Sequence, residues 1–288
     1  MSEAATIDSG TDELLVELSE GVATITLNRP ERKNALSEAM MSSLGPIISD
    51  LERDPNVGAV VLTGSGTIFS AGGDLKEFKA KGGEGGGAAT VDHAAIELQQ
   101  RQQKEIIGGL RRMTKPVIAS LPGAAAGAGL GIALAADLRI GTPRSIMATA
   151  FMGVGLSGDF GTSWQLQHLI GRSRAAEMML LPEKVDAETC LRLGLLNWIV
   201  EPEELQSRTT EIAYRLAHGP RLALNYAKQN LNTAESMGLD EAMDREVTLH
   251  KLCGITPDHR EAVSAFLERR PAVFASTSPD LGIVPRLD

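Results

Sequence analysis

Residues 14–18 and 22–27 alternate apolar and polar side chains, and Glu20-Gly21 stands between them. A period of two is that of a strand with one buried face, so this spacing predicts a β-hairpin. Asn28-Arg29-Pro30 ends the second strand. After Ser37 the period becomes helical, with an apolar face at Met40, Met41, Leu44, Ile47, Ile48 and Leu51, until Asp54-Pro55 stops it. Residues 59–63 are short, apolar and β-branched, as in a parallel strand buried on both faces, and Gly64-Ser65-Gly66 closes them. Residues 91–113 read as a long helix. Residues 116–136 read as a buried strand, a turn and a buried helix. The helical period returns over 162–180 with a break at Gly171, Asp186 caps another helix, and 195–200 read as a strand. From Glu203 onward helices follow one another at 204–217, 220–231, 239–252 and 258–268. Alternating β and α units followed by helices alone predict an α/β domain over residues 1–203 and a helical segment over 204–288. The first ten residues read as frayed.

Composition narrows the class. The chain has 288 residues, 43% apolar but only 3% aromatic, so a large core must be built from Ala, Val, Leu, Ile and Met. A net charge of −9 gives no general attraction for a nucleic-acid backbone. The polar, acidic N-terminus is neither a signal nor a transit peptide, and the run 116–136 is too interrupted by glycine to read as a membrane span. Cys190 and Cys253 lie in helical patterns without a metal-ligand spacing, the pattern of reduced thiols in a cytoplasmic protein. Residues 81–89 (KGGEGGGAA) read either as a mobile loop over a site or as a tolerated surface insertion.

Three segments carry candidate chemistry: Phe69-Ser70-Ala71-Gly72-Gly73-Asp74-Leu75, the run from Lys115 through Gly127-Ala128-Gly129-Leu130-Gly131, and GVGLSGDFGT over 153–162. The first two are strand-to-helix turns of Gly and Ala. Small residues let backbone approach a ligand, and free N–H groups at a helix start favour developing negative charge. Two such turns facing each other would hold one oxyanion between two donors; the same composition also serves close helix–strand packing. Residues 153–158 satisfy G-x-G-x-x-G, but they lie mid-chain and Asp159 directly after them would repel a pyrophosphate. A P-loop and a G-x-S-x-G nucleophile turn are absent.

The ordered set NRPERKNAL, FSAGGDL, KPVIA with AGAGL, and a late FLERRP resembles the enoyl-CoA hydratase/isomerase (crotonase) family over residues 13–274. The resemblance implies a crotonase-like α/β spiral of ββα units followed by C-terminal trimerisation helices, with a trimer or a dimer of trimers as the assembly. It implies an acyl-CoA thioester substrate, with coenzyme A entering only as part of that substrate and no metal or redox cofactor. It places the two oxyanion N–H groups on Gly73 and Ala128. Lys33, Ala35, Ala71, Asp74, Leu75 and Gly127 fall in segments lining the coenzyme A path. Arg269 and Arg270 fall where a last-helix cation approaches phosphates in a neighbouring subunit; an ordinary solvated helix end is the other reading.

The sequence departs from a hydratase at two positions. The two water-holding glutamates of that activity fall on Gly131 and Ala150, neither acidic. Asp159 stands instead in the third segment, matching an aspartate that dehalogenase and naphthoyl-CoA synthase members carry there, while the dehalogenase histidine falls on Lys104. A carboxylate in an apolar pocket has a raised pKa and can move a proton on a thioester enolate. The competing role for Asp159 is an N-cap for the helix that follows. Ser157 and Thr162 read as turn and cap residues, His93 and His168 as surface or packed histidines, and Glu105 as part of a solvated helix face. A family member that only binds acyl-CoA, and a dehalogenase or C–C hydrolase, are the functions competing with proton transfer by Asp159.

Overall fold

The computed structural model describes residues 4–84, 86–87, 90, 92–181 and 183–274. The hairpin forms as the alternation requires: β2 (Leu14–Ser19) pairs antiparallel with β3 (Val22–Leu27), and Val16 faces Ile25 in register. Ahead of it, β1 (Ala5–Ile7) pairs antiparallel with β2, so part of the stretch expected to fray is held by ladder hydrogen bonds. Three mostly exposed residues at a sheet edge are too few for alternation to reveal. Ser37 caps α1 (Glu38–Arg53) by accepting the Met40 N–H, and β4 (Ala59–Gly64) then pairs parallel with β3.

Three helices and four short strands build the middle of the chain. α2 (Leu75–Lys81) and α3 (His93–Arg112) precede β5 (Val117–Leu121), β6 (Ala125–Ala126) and α4 (Ala128–Leu134). β7 (Leu138–Gly141) and β8 (Ile146–Ala148) follow, then α5 (Thr162–Leu180), kinked where predicted at Gly171 with φ 75°. β9 (Val185–Asp186) leads into α6 (Ala187–Leu193), capped by Asp186. The strand expected over 195–200 is only β10 (Trp198–Ile199), because the Leu195 and Leu196 N–H groups are spent on the Cys190 carbonyl. The last four helices are α7 (Leu205–Ala217), α8 (Arg221–Ala234), α9 (Leu239–Gly254) and α10 (Pro257–Glu268). Of the glycine-rich stretch, Gly85, Ala88 and Ala89 lie outside the described residues, as does Val91 at the expected start of α3.

The main sheet runs β1-β2-β3-β4-β5-β7-β10, parallel from β3 onward; β6, β8 and β9 form a second, smaller sheet. Successive residues of β4 and β5 serve opposite faces. Val60, Leu62, Val117 and Ala119 join the large core beneath α1 and α3, whereas Val61 and Ile118 pack with Ile140 against Leu205, Ile212 and Ala213 of α7. The packing therefore runs on across residue 203. Lys228 of α8 ties the two parts further: its buried Nζ donates to the Leu110 and Lys115 carbonyls and pairs with Asp137 at 2.7 Å.

Candidate active site

The first corner is built by the residues before it. Asn34, buried and at φ 52°, accepts the Arg29 N–H on its Oδ1 and donates from Nδ2 to the Ser65 and Ile68 carbonyls. Its own carbonyl accepts the Ser70 hydroxyl at 2.8 Å. Arg29 donates to the Ala35 carbonyl and pairs with Asp74 at 3.3 Å and Glu13 at 3.0 Å. Asp74 is 4% exposed and caps α2 through the Lys76 and Glu77 N–H groups. Burial alone would raise its carboxyl, but those N–H groups and the guanidiniums of Arg32 and Arg29 outweigh it and hold it below the ordinary carboxylate value. The Asp74 side chain thus fixes the corner from beneath. Lys33, Ala71 and Leu75 are exposed, Ala35 is buried, and the Ala71 N–H is bonded to the Lys33 carbonyl.

The second corner lies against the first. Ser70 and Ala125 form a parallel bridge, and Leu36 forms another with Gly73. Gly72 sits at φ +87°, where a Cβ would come 2.7 Å from the Ala126 carbonyl oxygen and 3.3 Å from the Ala128 nitrogen. Only glycine permits that approach. Gly127, at φ 53°, donates to the Ala148 carbonyl and turns the chain into α4, whose first residue is Ala128. Among the described residues, neither the Gly73 nor the Ala128 N–H has a hydrogen-bond acceptor.

The third segment packs on the first turn of α4. Asp159 does not cap α5: the N-cap is Gly161, and no side chain closes that helix start. Instead Gln99 of α3 donates to Asp159 Oδ2 at 3.2 Å, and Oδ1 is buried with no hydrogen-bond partner among the described residues. Burial, reinforced by Glu84 of the glycine-rich stretch and opposed by the Gln99 bond, pushes the Asp159 carboxyl up to about 6. The Asp159 carbonyl accepts both the N–H and the hydroxyl of Thr162. Phe160 is left-handed at φ 51°, with its N–H on Gln103 Oε1 and its carbonyl on Gln165 Nε2, both at 2.9 Å. The Phe151 ring links the segments, because Cβ atoms on Gly127 and Gly158 would meet it at 3.8 and 3.4 Å.

Other candidates fall elsewhere. Lys104 and Glu105 line a groove of about 770 Å³ between α1 and α3, and Glu105 packs against Gly45. His93 is exposed at the start of α3, and exposed His168 lies over Trp164 with ring centroids 3.9 Å apart. Ser157 is exposed. Arg270 is taken by Glu261 and Glu268, which leaves little of it for a phosphate; Arg269 is exposed and has no ion pair among the described residues. Among those residues no group of three His, Cys, Asp or Glu is placed to hold a metal ion, and no helix is long and apolar enough to cross a membrane.

Gly131, where the resemblance expects a hydratase glutamate, leaves no room for a side chain. A Cβ there would lie 2.6 Å from Phe160 Cβ and 3.0 Å from both the Phe160 carbonyl oxygen and Thr162 Oγ1. Gly131→Glu is therefore expected to cost about 1–3 kcal/mol by overpacking and to confer no hydration of a 2-enoyl-CoA. A denaturant titration and a hydration assay check both.

Arg29, Asn34, Gln99, Gln103 and Gln165 escape a reading of the sequence for chemistry. The available signal was the polar Gln99–Gln103 spacing of one helical turn on an otherwise ordinary helix face.

The sequence model of the family Enoyl-CoA hydratase/isomerase matches residues 17–277. The chain is 35% identical over 261 residues to 1,2-epoxyphenylacetyl-CoA isomerase of Escherichia coli (strain K12), covering 91% of this chain and 97% of that protein. It is 34% identical over 232 residues to 4-chlorobenzoyl coenzyme A dehalogenase-2 of Arthrobacter sp, covering 81% and 82%. The crystal structure of an enoyl-CoA hydratase from Mycobacterium smegmatis superposes with a TM-score of 0.81 at 32% identity, covering 91% of this chain and 98% of that one.

Proposed function

The chain belongs to the enoyl-CoA hydratase/isomerase family, and from that premise we propose that it shifts a proton within an acyl-CoA thioester, with Asp159 as the acid/base. The thioester carbonyl oxygen sits between the N–H groups of Gly73 and Ala128. As the α-proton leaves, negative charge gathers on that oxygen, where preorganised donors stabilise it. Asp159 Oδ1 takes the proton from one carbon and returns it to another, so water is not incorporated and one carboxylate suffices. The observation that carries this reading is the Asp159 carboxylate itself: one oxygen is held by Gln99 and the other is buried without a partner. Syn hydration, which uses two carboxylates, finds Gly131 and Ala150 in their places.

Coenzyme A is proposed to run over Lys33, Ala71 and Leu75, close to Ala35, the Asp74 cap and Gly127, with its phosphates near Arg269 of a second copy. Self-association through α9 and α10, as a trimer or a dimer of trimers, is supported by the exposed large apolar side chains Leu239, Val247, Ile255, Phe266 and Leu267 on and beside these helices. Attack by Asp159 on an aromatic acyl ring, the dehalogenase-like alternative, is disfavoured because Lys104, in the position of the assisting base, lines the groove between α1 and α3.

The test is α-hydrogen exchange of a panel of acyl-CoAs in deuterated buffer. The base form of Asp159 is the carboxylate, and its carboxyl titrates near 6. Exchange is expected to rise from pH 5 through about 6 and to level off above about 7. A flat profile on the best substrate removes Asp159 from the role of base.

A further inference from the structure

The amide side chains around Asp159 do more than fill space. Gln99 and Gln103 lie one turn apart on α3, so they project from one face. Gln99 holds the Asp159 carboxylate, and Gln103 accepts the next N–H along the chain, that of Phe160. Gln165 of α5 is fully buried, and its Nε2 donates to two carbonyls at once: Phe160 at 2.9 Å and Gly131 of α4 at 3.1 Å. Gly131 is one helical turn after Ala128. Gln165 therefore ties the helix that begins at the Ala128 N–H to the turn that presents Asp159. Phe160 is held in a left-handed conformation that a bulky L-residue adopts only under constraint, and the two glutamines bond its N–H and its carbonyl.

We propose that Gln99, Gln103 and Gln165 form an amide clamp that positions the Asp159 carboxylate relative to the Ala128 N–H, with Gln165 setting the distance and Gln99 selecting Oδ1 as the proton-carrying oxygen. This rests on the acid/base reading of Asp159 given above. Amides suit the task because they stay neutral at every working pH. The clamp does not change charge when Asp159 titrates, as histidines or carboxylates there would. The three are positioning residues, since Gln99 bonds the Asp159 carboxylate and Gln103 and Gln165 bond the backbone of Phe160 and Gly131 beside it. Among the described residues, Glu84 is a charged group that bears on Asp159, and it acts in the same direction as burial.

The two ends of the clamp are separable by experiment. Gln99→Met keeps the side-chain length and removes the donor that favours the ionised carboxylate. The acid limb of the α-hydrogen exchange profile is expected to move up by about one pH unit, and the plateau rate to fall a few-fold as the carboxylate loses its orientation. Gln165→Met removes the link between the Gly131 and Phe160 carbonyls, the former keeping only its Ala135 N–H. The plateau rate is expected to fall roughly 10- to 100-fold through misplacement of the base, with KM nearly constant and the acid limb unmoved. Circular dichroism and thermal melting establish that each variant is folded; if Gln165→Met is not, Gln99→Met alone decides. An unshifted acid limb in folded Gln99→Met, or a plateau within twofold of the parent in folded Gln165→Met, overturns the clamp. Asp159→Asn, run in parallel, separates the failures. If it exchanges at the parent rate, the acid/base reading is what has failed. If it is inactive while both glutamine variants match the parent, the clamp alone is wrong.

Discussion

Replacing Ala128 with proline is expected to slow turnover roughly 10²- to 10³-fold while the protein stays folded. Ala128 is the first residue of α4, the one helical position where proline fits without strain and where its missing N–H breaks no helical bond. Gly127 before it carries no Cβ to clash with the ring. What the substitution removes is one hydrogen-bond donor, worth about 3–4 kcal/mol to an oxyanion transition state, and the ring carbon that replaces it would occupy the space proposed for the thioester oxygen. Melting temperature and exchange rate should therefore part company. A variant that melts like the parent and turns over at half its rate or better means that this N–H is not at the reacting oxygen.

Asp159→Asn should separate the same two quantities in opposite directions. Removing a positioned base typically costs 10²- to 10⁴-fold, and Asn can still accept the Gln99 bond, so the turn keeps its shape. Stability should rise. The Asp159 carboxyl titrates near 6 in the folded chain against an ordinary 3.8. Between those values the folded state binds more protons than the unfolded one, so the residue destabilises the fold progressively as pH climbs from about 4 to 6, and the deficit persists above that. Asparagine carries no charge to bury. The gain at pH 8 should be on the order of 1–2 kcal/mol, or a few degrees in melting temperature, and should vanish at pH 4. Calorimetry at the two pH values decides it; an equal gain at both would mean that the charge of Asp159 is not what the fold resists.

Most of the architecture was legible because it follows from periodicity and punctuation. The Ser37 and Asp186 caps, the Gly171 break and the four closing helices come directly from local chemistry. β1 was not legible, because three residues paired with one neighbouring strand are too short to show a period. β10 shrank because tertiary hydrogen bonds claimed the residues before it. At the candidate site, the motifs pointed to the two corners that the fold brings together and to Asp159, but what the Asp159 carboxylate meets depends on a residue 60 positions earlier on another helix. Gln99, Gln103 and Gln165 matter for where their amides point across three helices, which a linear reading does not supply. Asp74 shows the reverse: within a motif that reads as ligand-facing, its carboxylate turns inward to cap α2 and meet Arg29.

The second face of the main sheet has a consequence for how the chain is made. Val61, Ile118 and Ile140 are strand residues from the first half of the polypeptide, yet the side chains that cover them, Leu205, Ile212 and Ala213, emerge from the ribosome much later. For tens of residues of synthesis the nascent sheet has one greasy side and nothing of its own to lay over it. At ordinary elongation rates that interval lasts several seconds, long enough for chaperones and for aggregation to compete for the same surface.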